Sequence, residues 1–550
     1  MPDSFNVADL LARSADRHPD GLAVAMPSGP RGAGREYEQT TFEQLDQQSD
    51  QLAAGMLQAG IQPGMRVVLL VPFSTNFIRW VFAVLKSGAV MVLVDPGMGR
   101  RNMIRCLQNV DPQGFIAISR GQAIRSLLRW KFPHASHNIT VGRRWFWGGV
   151  TERQITAQVE EPFESFTAAA DDPAAVIFTT GSTGPPKGVA YQHGNFYQQV
   201  MQIQQRYHIQ PGDIDLPAFP LFGLFNAAMG VTSVIPVMDP SRPAEVDPRE
   251  IIEPIQQWQV KQSFGSPALW DVVGRYCEEK KETLPSLQRV LSSGAPVPPR
   301  VLRSMTAVIG PGGEMYTPYG ATEALPVASI SASEVLQQTA SLSEQGKGTC
   351  VGRRFDGIEW KVIRICDEVI KSMEDAEPLP AGEIGELLVR GPVVTARYVN
   401  LPVQTNLHKI EDGETFWHRM GDVGYFDQQQ RFWFCGRKSQ RVTTGGTTLY
   451  TVPCEAVLNR HPSVFRSALV GVGPGRAERA VMIVELWPNK RCKGRAEQRE
   501  LCRELLAWVQ ADPLTSLVER VLVHPALPVD IRHNAKIFRE KLAVWAAGQM

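Results

Sequence analysis

The chain lacks an excess of either charge. Over 550 residues, 57 Lys and Arg stand against 56 Asp and Glu, a formal net charge of +1. A dedicated nucleic-acid binder carries a strong basic surplus, so that class is excluded. It also lacks any C-x-x-C pair. Its eight cysteines (Cys106, Cys277, Cys350, Cys366, Cys435, Cys454, Cys492 and Cys502) fit neither a zinc site nor a disulfide framework, and read as reduced thiols of a cytoplasmic protein. No long apolar run is uninterrupted. The most apolar stretch, residues 77–96, is broken by Arg79 and Lys86, which a membrane span of about 20 residues would not readily tolerate. Asp3 and Asp9 precede any apolar run and no small-residue cleavage site follows, so no signal peptide is expected. No solenoid repeat, H-E-x-x-H zinc helix or G-x-S-x-G elbow is present. With 21% charged and 43% hydrophobic residues the composition is that of a globular enzyme, too long for one core.

What is present is an alternation of helix and strand signals. Thr41 and Gln44 form a capping box, followed by Leu45, Leu52 and Met56 on one helical face and Gly60 as the stop. The strand-length run VVLLV (67–71) comes next. A second helical pattern through Phe77, Trp80, Val81 and Leu85 leads to Gly88 and to VMVLVDP (90–96). Strand, crossover helix and strand make a βαβ unit, which implies a parallel sheet buried on both faces. The same grammar recurs at AVIFTTG (175–181), VTSVIPV (231–237) and QRVLSSG (288–294). Beyond about residue 350 the runs alternate, as in EWKVIRI (359–365) and GELLVRG (385–391), which predicts an antiparallel, barrel-like subdomain. The acidic, proline-bearing stretch 371–382 is expected to be a mobile loop.

The expected fold class is therefore α/β. A large N-terminal domain of mixed α/β sheets spans 1–436, with the barrel-like part over about 350–436. A hinge at 436–440 leads to a small, mobile C-terminal α/β lid domain, 437–550.

The most informative segment runs from Ile177 to Val189. An apolar strand ends in Thr179, Thr180, Gly181, Ser182, Thr183 and Gly184, followed by Pro185, Pro186, Lys187 and Gly188. Glycines let successive backbone N–H groups turn towards an anion, hydroxyls add donors, and Lys187 supplies positive charge. Several charge-assisted bonds of about 1.5–3 kcal/mol each would hold a triphosphate. The Walker pattern needs Gly before the Lys and Ser or Thr after it, so this is a different phosphate loop.

Three other segments stand out less. AIRSLLRWKF (123–132) places Ile124, Leu127 and Leu128 beside Arg125 and Arg129. It is read either as a packed core helix, the commoner outcome, or as a surface that docks a partner or acyl material at a membrane. RRWFW (143–147) mixes bases with aromatics, but the charge balance argues against nucleic acid. His193 is read as structural.

TTGSTGPPKGV closely resembles the phosphate loop of the adenylate-forming enzymes: acyl-CoA synthetases, peptide-synthetase adenylation domains and luciferases. Further matches follow in that family's order. SSGAP (292–296), with Gly294, Ala295 and Pro296, is similar to the adenine-side loop. YGATE (319–323) resembles Y-G-x-T-E, GDVGYFD (421–427) the ribose segment, GRK (436–438) the hinge and HNAKIFREKL (533–542) the catalytic-lysine motif.

The resemblance implies ATP and Mg²⁺ as cofactors, with Glu323 as magnesium ligand. It implies that Tyr319 and Gly320 lie on the adenine, that Thr322 bonds the α-phosphate, and that Asp422 and Arg437 hold the ribose. Lys536 would reach from the lid to the reacting carboxylate, and Lys536, Glu323 and Thr180 make the catalytic set. The apolar stretch 216–230, with Phe219, Leu221, Phe222, Gly223 and Phe225, lies where the family builds its acyl pocket; many members carry histidine at the position of Gly223.

Three departures narrow the resemblance. Ser439 stands where the hinge usually has Asp or Lys, Ala535 replaces the glycine before the catalytic lysine, and PVDIRHNAKI (528–537) replaces R-T-x-x-G-K-I. Together these look like the β-lactone synthetases of bacterial long-chain olefin biosynthesis. In that family a 2-alkyl-3-hydroxy fatty acid is adenylated and its own hydroxyl closes the lactone. The resemblance implies a long-chain hydroxy fatty acid as substrate and partner enzymes of the olefin pathway. The alternatives are a long-chain acyl-CoA synthetase and a catalytically silent scaffold.

Overall fold

The computed structural model describes residues 2–32, 34–156, 163–178, 186–474, 478–530 and 536–550. The helix Phe42–Gln58 begins on the expected capping box: Thr41 accepts from the Gln44 backbone N–H, and the Gln44 side chain accepts from that of Thr41. It buries Leu45, Leu52 and Met56. The βαβ unit follows as strand Arg66–Leu70, helix Thr75–Lys86 and strand Val90–Leu93, the two strands pairing in parallel. They sit in an eight-stranded sheet among the described residues. Its two faces are covered by different layers: Leu69, Met91 and Ile116 on one side, and Val68, Val92 and Phe115 on the other.

A second sheet, fourteen-stranded among the described residues, carries the rest of the large body. Strands Ile214–Pro217, Gln262–Gly265, Arg289–Ser292 and Glu314–Ala321 run parallel. From there the ladder becomes antiparallel, through Ala324–Ser331, Thr349–Arg354, Phe432–Arg437, Thr415–Phe426 and Gly385–Arg390. The ladder turns antiparallel at the hairpin of Glu314–Ala321 and Ala324–Ser331, so the alternating runs after residue 350 fall within an antiparallel region that begins before them.

Beyond the one-turn helix Lys438–Gln440 the chain builds a smaller α/β unit. Strands Val464–Val472, Arg479–Leu486 and Arg520–Val523 form its sheet. Leu469, Met482 and Val484 fill one face, while Val470, Val481 and Ile483 meet the C-terminal helix on the other. The mixed α/β expectation holds in both parts. Among the described residues no helix is long and apolar enough to cross a membrane.

Two segments depart from expectation. Residues 371–382, expected as a mobile loop, bury Ala376 and pack Met373 against Ile363, Leu388 and Trp417. Two isolated bridges, Ser372 with Glu411 and Ile363 with Pro378, tie the segment to neighbouring strands, so its sparse apolar residues serve as anchors. The AIRSLLRWKF segment is not a packed core helix. In helix Ser119–Leu127 the buried residue is Gln122, and Leu127 and Trp130 lie at the surface.

Candidate active site

The carboxyl ends of the parallel strands open into a cleft of about 2330 Å³, where open α/β sheets bind ligands. The expected residues arrive on four supports. Gly294, Ala295 and Pro296 follow strand Arg289–Ser292. Tyr319, Gly320, Thr322 and Glu323 occupy the hairpin between Glu314–Ala321 and Ala324–Ser331. Asp422 and Arg437 face each other on paired strands, and Lys187 precedes strand Gly188–Gln192. Each of these residues lines the cleft.

Glu323 is held at both ends. Thr395 donates its backbone N–H (2.9 Å) and its hydroxyl (3.1 Å) to the Glu323 carbonyl, while Tyr398 donates its hydroxyl to Glu323 Oε1 at 2.7 Å. The preceding residue is fixed too, because Tyr191 donates to the Thr322 carbonyl at 2.6 Å. Lys187 Nζ lies 3.1 Å from His408 Nε2 and 5.0 Å from the centre of the Tyr398 ring. Burial pushes the Lys187 ammonium pKa down, with Glu323 opposing the shift. Burial and the surrounding cations, Lys187 first, push His408 down to about 3, so its neutral ring accepts from the lysine.

Asp422 is buried, and burial raises its pKa against the pull of Arg437 and of the Tyr319 hydroxyl. Tyr319 donates to Asp422 Oδ2, while Oδ1 lies 2.9 Å from Arg437 Nη1, close enough to pair but outside hydrogen-bond geometry. Behind this pair, Arg419 and Lys438 share the buried carboxylate of Glu386, at 2.6 and 3.0 Å.

The apolar end of the cleft carries Phe219 and Phe225, the latter 5.1 Å from the Phe196 ring. Leu221 and Phe222 fall in helix Pro220–Gly223, and their side chains lie outside the described atoms. A Cβ on Gly223 would come within 2.8 Å of the Pro217 side chain and 3.2 Å of the Phe73 ring, so this glycine keeps the wall thin. Beneath it Asn226 donates to Asp215 at 2.7 Å and to Ser233 at 3.0 Å.

Lys536 reaches the same cleft from the C-terminal unit. Its carbonyl accepts from the Asp530 backbone N–H, and Val529 bridges Ile537 beside it. Arg539, three residues on, pairs with Glu455 at 2.8 Å and donates to Gln440 of the one-turn helix at 3.2 Å. Thr179, Thr180, Gly181, Ser182, Thr183 and Gly184, and also Ala535, lie outside the described residues. His193 lies buried at a helix start, its ring nitrogens without a hydrogen-bond partner among the described residues, and burial holds its pKa down to about 4.

The sequence offered no signal for Tyr398, His408, Thr395, Glu386 or Arg419. Each is an ordinary residue, Thr395 in a loop and the others in a strand or short helix, and its role comes from partners tens of residues or more away.

A family model for AMP-binding enzymes matches residues 11–399. The olefin beta-lactone synthetase of Xanthomonas campestris pv. campestris is 44% identical over 558 residues, covering 100% of this chain and 99% of that protein. A long-chain-fatty-acid–CoA ligase of Thermus thermophilus is 24% identical, over 88% of this chain and 86% of its own. Among solved structures, an amide bond synthetase from Marinactinospora thermotolerans superposes with a TM-score of 0.77 at 22% identity, covering 98% of this chain and 99% of that one.

Proposed function

The chain belongs to the family of AMP-binding enzymes, and from that membership we propose that it is an ATP-dependent β-lactone synthetase of olefin biosynthesis. A long-chain 2-alkyl-3-hydroxy fatty acid is adenylated, and its own 3-hydroxyl then closes the ring. In the first step a carboxylate oxygen bonds to the α-phosphorus of ATP while the bond to pyrophosphate breaks. In the second the hydroxyl oxygen bonds to the acyl carbon, its proton leaves to solvent, and AMP departs with the electrons of the acyl–oxygen bond. An internal nucleophile has a high effective concentration, which helps offset the strain of a four-membered ring.

The observation that carries this reading is the full-length 44% match, taken with the meeting of Lys187, Glu323, Asp422 and Lys536 in one cleft. In this reading Thr179 to Gly184 and Lys187 cradle the phosphates, and Gly294 to Pro296 with Tyr319 and Gly320 take the adenine. Thr322 bonds the α-phosphate, and Asp422 with Arg437 takes the ribose. Lys536 lies over the reacting carboxylate, with Thr180 and Glu323 completing the set. Phe219, Leu221, Phe222, Gly223 and Phe225 border the alkyl chains.

Glu323 suits Mg²⁺, which takes one or two carboxylates and fills its remaining positions with phosphate oxygens and water. A bound Mg²⁺ would offset negative charge on the phosphates. Residues 437–550 act as the lid on residues 1–436, turning about 436–440. Separate enzymes supply the hydroxy acid and decarboxylate the lactone, all in the cytoplasm.

An acyl-CoA synthetase shares the first step and differs in the second, and such enzymes stand at much lower identity. Incubation with ATP, Mg²⁺ and a 2-alkyl-3-hydroxy acid, with and without CoA, separates the readings. Lactone and AMP are expected without CoA. Thioester formed only with CoA would reassign the enzyme, and no AMP in either mixture would leave a silent scaffold.

A further inference from the structure

Helix Ser119–Leu127 turns its apolar side chains outward. Its buried residue, Gln122, donates its side-chain amide to the carbonyls of Phe115 and Ile139, which fastens the helix to the sheet through a polar contact. Leu127 is 66% exposed, and Trp130, in the one-turn helix Arg129–Lys131, 69%. In the loop after strand His137–Val141, Trp145 and Phe146 are 63% and 70% exposed.

The two segments share one side of the sheet. Leu128 and Phe132 pack with Phe115. Trp147, the buried aromatic of the loop, donates its indole N–H to Thr140 at 2.9 Å. Thr140 alternates with Ile139 and Val141, which face the opposite layer, so Trp147 lies on the Phe115 side. Trp145 and Phe146 rest on Trp147, and Ser119 donates its hydroxyl to the Arg143 carbonyl, tying helix to loop.

Charge on this region is equally one-sided. Residues 97–151 hold eight arginines and one lysine against a single acid, Asp111, in a chain of net charge +1. Asp111 is engaged by His134 at 2.8 Å, and none of the nine cations forms an ion pair among the described residues. Arg120 and Ile124 of the same helix also line the large cleft, together with Met103 and Ile118. The patch is therefore continuous with the cleft wall.

Exposed Trp, Phe and Leu amid unpaired cations match the headgroup layer of an anionic bilayer, where aromatic rings settle at the interface and bases meet phosphates. A protein partner would instead be expected to favour an interface core depleted in charge. We propose that this face seats the protein on an anionic phospholipid surface, with Leu127, Trp130, Trp145 and Phe146 entering the headgroup layer. A water-insoluble acid then passes from the bilayer into the cleft beside Ile124. That consequence rests on the substrate proposed above; the docking does not.

The test is sedimentation of the full chain with vesicles of phosphatidylcholine alone and of phosphatidylcholine mixed with phosphatidylglycerol, without substrate. Binding is expected to the anionic vesicles and to weaken with salt. Leu127→Ser, Trp130→Ser and Trp145→Ser together should lower the partition about tenfold or more. Arg129→Gln, Lys131→Gln and Arg143→Gln should each lower it about fivefold. All these side chains lie outside the cleft lining, so AMP formation from an acid dispersed in detergent should stay at the parent rate. That assay reads the proposed chemistry independently of docking.

Failure to bind anionic vesicles, or binding that the serine variant leaves unchanged, overturns the proposal. Binding to a short RNA without vesicle binding would assign the face to nucleic acid. A concentration-dependent dimer broken by the serine substitutions, again without vesicle binding, would assign it to a second copy of the chain.

Discussion

Glu323 occupies the turn of a hairpin, where a carboxylate is ordinarily solvated and free to rotate. Here Thr395 holds its carbonyl and Tyr398 its side chain. The tyrosine also lies under Lys187, which His408 holds from another direction. A hydrogen bond to a charged group contributes about 1.5–3 kcal/mol, and here it fixes the carboxylate's direction. Tyr398→Phe is therefore expected to slow ATP–pyrophosphate exchange about tenfold or more while the thermal midpoint moves little. An unchanged exchange rate would show that the hydroxyl has no part in placing Glu323. The Y-G-A-T-E run singles out the glutamate, but it cannot disclose that a tyrosine 75 positions away bonds to it.

At the scale of elements, the junction at 436–440 is anchored by charge. Lys438 and Arg419 both reach Glu386, whose side chain is buried, and Arg419 donates further to the carbonyls of Cys366, Leu407 and Glu368. Burial lowers the Lys438 pKa, and Glu386 opposes the shift. Removing one partner of a buried pair strands the other, which costs about 3–5 kcal/mol. Glu386→Ala should lose stability of that order in urea titration; a loss under about 1 kcal/mol would mean that water or a rearranged loop replaces the carboxylate. The strands around this junction were legible because strand-length apolar runs are local, although Gly385–Val389 is buried on successive residues rather than on alternate ones. The packing of residues 371–382 was not legible, since its anchors lie on strands distant in sequence. Helix Ser119–Leu127 shows the opposite limit: periodicity reveals an apolar face, but only the neighbours decide whether anything covers it.

Across the whole molecule, the cleft belongs to two units. Most of its polar lining comes from the large body, while Thr451, Glu455, Lys536 and Arg539 arrive from the small one, where the Arg539–Glu455 pair contacts Gln440. An ammonium placed where charge develops is a transition-state contact, and losing one costs about 10²–10³ in rate. Lys536→Ala should keep ATP binding and lose adenylation by that factor. Exchange near the parent rate would remove Lys536 from the chemistry. The exposed aromatic and basic face lies on the other unit, so vesicle binding and adenylation should respond to separate substitutions.

The sequence by itself determined the α/β grammar, the order of the loops and the identity of Lys187, Glu323, Asp422 and Lys536. These are short-range patterns, written within a dozen residues: spacing and side-chain chemistry mark the loop around Lys187, while the family resemblance of their motifs singles out Glu323, Asp422 and Lys536. Only the tertiary structure decided which residues hold Glu323 and Lys187, that Arg419 and Lys438 share Glu386, and that Leu127 and Trp130 face outward. Burial and pairing depend on chain segments tens or hundreds of residues apart, and no local pattern records which of them come together.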